Sequence, residues 1–277
     1  MANEVVVRPQ TGLQKFNAML ENTRTQDYLA SVLGENKQTF VSNMVALVAN
    51  NKALSECEPS SIMFSCLKAS ALKLPLDPAL SMAWVVPFAD NKTKTKVATF
   101  QVGARAWIQL ALRTGSYQKI NVRDVREGEI VGEDFISGDM QFKKLEKGRM
   151  EAPIVGYVAM FRLTNGFEKQ LYMSVEELEA HAKRFSQTYR RGYGLWADKD
   201  MKPAMYEKTI IKRLLSKWGV LSVEMQDAMK SDFGVLGEQN SVRYVDNEED
   251  VVDIEKAQAV ANKFADWADE KGNEDGE

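Results

Sequence analysis

Histidine is almost absent: His181 stands alone among 277 residues. A serine–histidine–aspartate relay needs an imidazole as its base, and a single histidine beside Lys183 and Arg184 in a helical pattern reads as a solvated helix position. Cysteine is nearly as scarce. Cys57 and Cys66 have no metal-ligand spacing and no partner histidines, so they read as packing thiols in a reducing cytoplasm. No apolar run approaches the ~20 residues of a membrane span. Met1 to Gln10 has only the short Val5-Val6-Val7 run and is no secretory signal. Neither a GxxxxGK[ST] loop nor GxGxxG occurs, so nucleotide hydrolysis through the usual phosphate cradle is unsupported.

The remaining composition is that of a globular protein with one substantial core: 44% hydrophobic and 27% charged. Its net charge of −3 hides an asymmetry. Residues 238–277 carry 13 acidic and 4 basic side chains, and the rest carries 26 acidic and 32 basic. A basic body with an acidic tail suits a nucleic-acid binder. The expected organisation is a core over 1–237, disordered over 1–12, followed by an acidic linker and tail over 238–277. Within that tail, 254–268 forms a small amphipathic docking helix through Ala257, Ala261, Phe264, Ala265 and Ala268.

Positive charge concentrates in two segments. Residues 92–126 hold 8 basic and 1 acidic side chain, and residues 183–217 hold 10 and 3. In the first, Trp84–Phe88 and Val97–Gln101 read as strands joined at Asp90-Asn91, with Lys92, Lys94 and Lys96 alternating along one side. The next helix sets Arg105, Gln109 and Arg113 on one face and turns Trp107, Ile108, Ala111 and Leu112 away. A cationic ribbon beside a basic helix face suits a polyanion backbone, although a solvated hairpin and an ordinary surface helix would look the same.

In the second segment, Pro203 opens a helix running to Trp218. Its Ile210, Ile211, Leu214, Leu215 and Trp218 form one arc, and Lys208, Lys212, Arg213 and Lys217 the other. Before it, residues 186–200 form a loop in which Tyr189, Arg190, Arg191, Tyr193 and Trp196 alternate with glycines. These aromatics are candidates to stack on unpaired bases, while Trp196 equally suits a packing role. Lys119 and Arg123 share a strand face, and Gln101 and Lys183 complete the candidate nucleic-acid contacts.

Other local signals are structural. Leu13–Leu33 suggests two short helices ended by Gly34, Gln38–Val48 a better one, and Pro59 a helix start. Tyr117–Val125 and Ile130–Phe135 read as strands, and 138–150 as a polar connection. Ile154–Leu163 and Phe167–Met173 flank Asn165-Gly166, the preferred type I′ hairpin pair. Ser174 to Glu177 is a capping box with Met173 and Leu178 as its staple. Asp124, Glu127, Glu129, Glu133 and Asp134 are the only cluster a two-metal nuclease could use, and a solvated strand–turn–strand shows the same pattern. The fold class is therefore α+β: mixed or antiparallel hairpin sheets flanked by helices, with a basic groove.

Together these segments resemble the RecT family of phage single-strand annealing proteins, related in activity to Redβ. The resemblance spans about residues 40–229. It rests on Trp84-Val85-Val86-Pro87-Phe88, Phe100-Gln101-Val102-Gly103, Gln109 to Gly115, Asn165 to Lys169, Lys208 to Lys212 and Leu215 to Gly219, in that order and spacing. It departs at Gly103-Ala104-Arg105-Ala106, where the family usually has Gly-Tyr-Lys-Gly, and in longer stretches at 90–96 and 188–195. The resemblance implies an ATP-independent recombination protein that coats single-stranded DNA, anneals complementary strands and assembles into rings or filaments in the bacterial host cytoplasm. It implies no required cofactor, with Mg2+ at most modulating DNA binding. A phage exonuclease and host single-strand binding protein are the partners expected for the tail. A metal-dependent nuclease and a structural phage assembly protein without DNA affinity are the alternatives.

Overall fold

The computed structural model describes residues 11–90, 93–192, 194–238 and 241–244. Five helices come first: α1 (Gly12–Glu21), α2 (Thr23–Leu33), α3 (Lys37–Ala49), the single turn α4 (Lys52–Ser55) and α5 (Pro59–Ala71). Local chemistry explains their ends. Thr11 and Gln14 make a capping box at α1, Asn22 accepts from Arg24 N–H to cap α2, and proline occupies the first turn of α5. Gly34 closes α2 with a φ of 53°, open to glycine at little cost. Four of these are the helices expected from periodicity; α4 is not among those expected, and α1 begins at Gly12, inside the stretch expected to be disordered.

Three antiparallel sheets follow. β1 (Ala83–Asp90) pairs with β2 (Thr95–Val102), and α6 (Ala104–Arg113) leads to β3 (Tyr117–Arg126). Next come the hairpin β4 (Ile130–Asp134) and β5 (Asp139–Phe142), then β6 (Ile154–Leu163) and β7 (Glu168–Ser174). Helices α7 (Val175–Phe185), α8 (Gln187–Arg190), α9 (Lys202–Trp218) and α10 (Val223–Ser231) precede the short strands β8 (Gly234–Leu236) and β9 (Val242–Tyr244). One sheet runs β1-β2-β8-β9 and another β3-β6-β7, with β4-β5 apart. The expected α+β class with antiparallel hairpins is the observed one. The β8–β9 pairing crosses the 237/238 division expected from composition and carries the sheet to Tyr244. Most of the acidic tail, including 254–268, lies outside the described residues.

Two details depart from the sequence reading. β5 lies in the stretch taken as a polar connection, because its alternation is short and its core contacts few. The Asn165-Gly166 turn is not type I′, since only Gly166 of the pair is left-handed, at φ 89°. Gly166 N–H donates to Leu163 O and Leu163 N–H to Phe167 O, so the hairpin closes through a glycine bulge. The capping box at Ser174 and Glu177 is present, and both staple residues are buried.

The larger core sets the frame for the site. Ile210, Ile211, Leu214 and Leu215 of α9 are fully buried against Tyr157, Ala159 and Phe161 of β6 and Trp107 and Leu110 of α6. A second core holds α1–α5 together through Phe16, Leu29, Met44, Leu54 and Ile62. Lys68 ties the two bodies of structure together, its ammonium 2.9 Å from Asp227 on α10.

Candidate nucleic-acid interface

Helices α7 and α9 lie side by side because each turns an apolar stripe to the same core, and their polar edges leave a cleft of about 300 Å³ between them. Its walls combine apolar and cationic groups: His181 and Phe185 from α7, Lys208, Lys212 and Arg213 from α9, and Phe233 beyond α10. The His181 ring lies 4.6 Å from that of Phe185, and the Arg184 guanidinium sits 5.1 Å from the same phenyl centroid. Phe185 is nonetheless 47% exposed. Burial, then the charges of Arg213, Lys212 and Arg184, push His181 down to about 4. Its ring is therefore neutral at pH 7, and the cleft's positive charge comes from lysine and arginine alone.

The base of the cleft is pinned by a buried carboxylate. Asp232 has no side-chain exposure, and its oxygens accept from Lys208 at 3.2 Å, Lys212 at 2.7 Å and the Val102 N–H at 2.9 Å. The backbone gets there by a left-handed residue, Phe233 (φ 67°), whose N–H donates to Phe100 O. Lys208 lies 4.1 Å from the Phe233 ring and Lys212 5.4 Å from that of Trp107. Burial pushes the Lys208 ammonium down to about 8, against the pull of Asp232. Burial also opposes ionisation of Asp232, but Lys208, Lys212 and the Val102 N–H outweigh it and hold the carboxyl below its ordinary range. One carboxylate thus offsets two ammoniums, and a positive charge remains at the cleft floor.

The structure sorts the candidate residues by surroundings. Arg213 and Lys183 are exposed, on α9 and α7. Lys208 is 7% exposed and belongs to the Asp232 cluster, a correction to the helical-wheel reading that put it on the solvent arc. Trp196 is also 7% exposed, edge-on to Tyr189 at 5.3 Å and to Tyr206 at 5.6 Å, so its packing role is the one realised. Tyr189 is half-buried in that group, with the Lys202 ammonium 5.9 Å from its ring. Arg190 donates to the Arg184 carbonyl and Arg191 is exposed, while Tyr193 lies outside the described residues.

Elsewhere Arg105 and Gln109 are exposed on α6, as is Leu112, which the wheel had turned inward. Arg113 donates to the carbonyls of Leu72 and Lys73, at 2.8 and 2.9 Å, and caps the end of α5. Gln101 is half-buried and donates to Thr99. The expected lysine row on the β1–β2 ribbon breaks up. Lys92 lies outside the described residues, Lys94 occupies a left-handed turn position (φ 57°), and Lys96 pairs with Glu56.

Lys119 and Arg123 do share a strand face, and it is the one turned away from α9. Register pairs the half-buried Ile120 and Val122 with Phe161 and Ala159, which are fully buried under the helices, and leaves Lys119, Asn121 and Arg123 beside Arg162, Met160 and Val158 on the outer face. The cations of α7 and α9 and those of β3 therefore lie on opposite sides of the β3-β6-β7 sheet.

The carboxylate cluster is held by arginine. Asp124 accepts from Arg126 at 2.8 Å and Arg149 at 3.1 Å, and Glu129 accepts from Arg149 at 2.7 Å. Burial works to raise both acids, and the arginine hydrogen bonds overcome it and lower them. Among the described residues no group of three histidines, cysteines or carboxylates could hold a metal ion. The arginine pairing gives Asp124 and Glu129 a structural role at the base of the β4–β5 hairpin.

His181, Phe185, Asp232 and Phe233 are the site's additions to the sequence reading. The first two sit one helical turn apart, a spacing visible in sequence; nothing local marks Asp232. Against this geometry, similarity to known proteins is decisive. A sequence model of the RecT family matches residues 38–254. The chain belongs to the RecT family. It is 35% identical over 223 residues to the uncharacterized protein YqaK of Bacillus subtilis (strain 168), covering 78% of this chain and 74% of that one. It is 27% identical over 184 residues to Protein RecT of Escherichia coli (strain K12), covering 65% of each. RecT family membership places the chain among DNA-binding recombination proteins of the single-strand annealing class. No helix among the described residues is long and apolar enough to cross a membrane.

Proposed function

We propose that this RecT family protein binds single-stranded DNA at the α7–α9 cleft, assembles with itself along the strand, and pairs it with a complement without ATP or any covalent step. The observation that carries the reading is the cleft itself, where cations at Lys212 and Arg213 adjoin an exposed aromatic at Phe185. Annealing requires two polyanions to approach while their bases stay available to pair. Lysine and arginine neutralise phosphate and release counterions, and an aromatic face holds a base without reading its identity. Hydrogen-bond readout of sequence would defeat the purpose, since base pairing must do that reading.

The cleft takes the first strand, with Lys183, Lys212 and Arg213 on its phosphates and Phe185 against a base. Arg105, Lys119 and Arg123 lie on other surfaces and are assigned to later contacts with the incoming strand. The downhill free energy of base pairing drives the process, which is why no phosphate cradle is needed.

Fluorescence anisotropy with a labelled oligonucleotide tests the reading. Binding in EDTA to random-sequence single strands, with affinity falling steeply as salt rises and with the strands recovered intact, is the expected result. Absence of binding, or cleavage of the strands on adding Mg2+, would reject it.

A further inference from the structure

The β4–β5 hairpin carries a feature the cleft does not use. At its tip Phe135 is 97% exposed and Ile136 96%. Two adjacent large apolar side chains in water mark a surface that something covers. The tip is also held in shape. The Asp134 carboxylate accepts from Ile136 N–H at 3.0 Å and Ser137 N–H at 2.8 Å, and Gly138 N–H donates to Asp134 O at 2.8 Å. From β7, Lys169 reaches Asp139 and the Ser137 carbonyl, Gln170 donates to Met140 O at 3.0 Å, and Tyr172 lies 6.2 Å from Phe142. These contacts brace the turn that carries the apolar pair, which lowers the ordering entropy a partner must supply. Its neighbours Glu133, Asp134 and Asp139 are acidic, which argues against a wedge between DNA bases.

A matching recess lies in the N-terminal helices. Between α3 and α5 a cleft of about 720 Å³ is lined by Phe40, Met44, Leu47, Leu74 and Leu76, with Ala46 on its rim. Lys52 and Lys73, both exposed, adjoin its lining residues Asn51 and Leu74. The recess is apolar where the tip is apolar, and the two lysines beside it outnumber Asp77, the one charged residue of its lining, where the hairpin is acidic. The near-complete exposure of Phe135 and Ile136 shows that they do not fill the recess of their own chain.

We infer that Phe135 and Ile136 of one copy seat in the α3–α5 recess of the next. The contact is heterologous, a knob on one face meeting a recess on another, so it repeats head to tail into a ring or filament. It rests on the proposed self-assembly and names the surfaces that make it. The knob is the anchor of a wider interface, since two side chains alone fall short of the area a stable contact buries.

The test uses the full chain in sedimentation velocity, with and without a poly-dT oligonucleotide. A Phe135→Asp/Ile136→Asp variant and an Ala46→Glu variant are both at exposed positions, and circular dichroism with thermal melts checks that each folds. Each alone is expected to need at least about 30-fold more protein than the unmodified chain to assemble. Mixed one to one they are expected to form pairs that grow no further, because the first contributes an intact recess and the second an intact knob. Assembly of the hairpin variant at the unmodified concentration would overturn the inference, as would a mixture that behaves as the sum of its parts. Weakened assembly from Ala46→Glu alone would give the recess a different occupant and overturn it too. If the unmodified chain never assembles, the self-assembly reading itself fails, an outcome distinct from the others.

Discussion

Asp232→Ala is expected to destabilise the protein by about 3–5 kcal/mol, measured by urea denaturation at pH 7. The carboxylate is fully buried and is the shared acceptor for Lys208, Lys212 and the Val102 N–H. Removing it leaves the Lys208 ammonium, already pushed down to about 8 by burial, with no carboxylate among the described residues within hydrogen-bond reach. The mechanism has a second signature. Without Asp232 the folded-state Lys208 falls still further below its ordinary value, so in the variant the folded state sheds a proton that the unfolded chain keeps. Above that depressed value a neutral lysine costs far less to bury. The destabilisation should therefore shrink as pH rises from 6 to about 8 and level off above it, where Lys208 of the unmodified chain loses its own proton and the two stabilities rise in parallel. A loss that is small, or that stays constant over that range, would show that the cluster does not hold α9 against β2 as described.

Phe185→Ala and Arg213→Ala are expected to weaken single-strand binding in two distinguishable ways. Phe185 is 47% exposed beside the cations of the cleft, and loss of one base–aromatic stack costs ~1–3 kcal/mol of binding. Because no phosphate contact is lost, the slope of log affinity against log salt should stay the same. Arg213 is exposed on the cleft wall, and losing one phosphate contact should flatten that slope by about 0.7. Adding Lys183→Ala should flatten it by about as much again. Lys119→Ala with Arg123→Ala, on the outer face of the β3-β6-β7 sheet, should leave first-strand binding and its slope unchanged. Titrations at several salt concentrations separate these outcomes. A slope altered by the outer-face pair but not by Arg213→Ala would move the first strand to the other side of the molecule.

Local signals carried most of the fold. Periodicity and caps located α3, α5, α7 and α9, and β-branched runs located β1, β2, β3, β6 and β7, because these elements draw on interactions within a few residues in sequence. The site was legible as a region rather than as a set of side chains. Lys208 sits on the polar arc of α9 by sequence, yet it is buried because Asp232, 24 residues later, arrives through a left-handed turn to receive it. Trp196, in a glycine-rich loop, gives no local clue that Tyr189 and Tyr206 close around it. Arg113 reads as a surface cation, but the α5 carbonyls it caps lie 40 residues earlier. Each of these depends on a long-range partner that composition and spacing do not specify. The split of the α9 and β3 cations between two faces is likewise a matter of sheet register, which the motifs shared with the RecT family do not specify.

The central claim is strand annealing, and the most direct measurement is the pairing of two complementary dye-labelled oligonucleotides in EDTA without nucleotide. One strand is incubated with the protein before the other is added, and energy transfer reports duplex formation. The account predicts pairing much faster with the protein than without it, with no strand cleaved and with acceleration lost as salt rises. Pairing no faster than the uncatalysed rate, at protein concentrations that saturate the first strand, would contradict it.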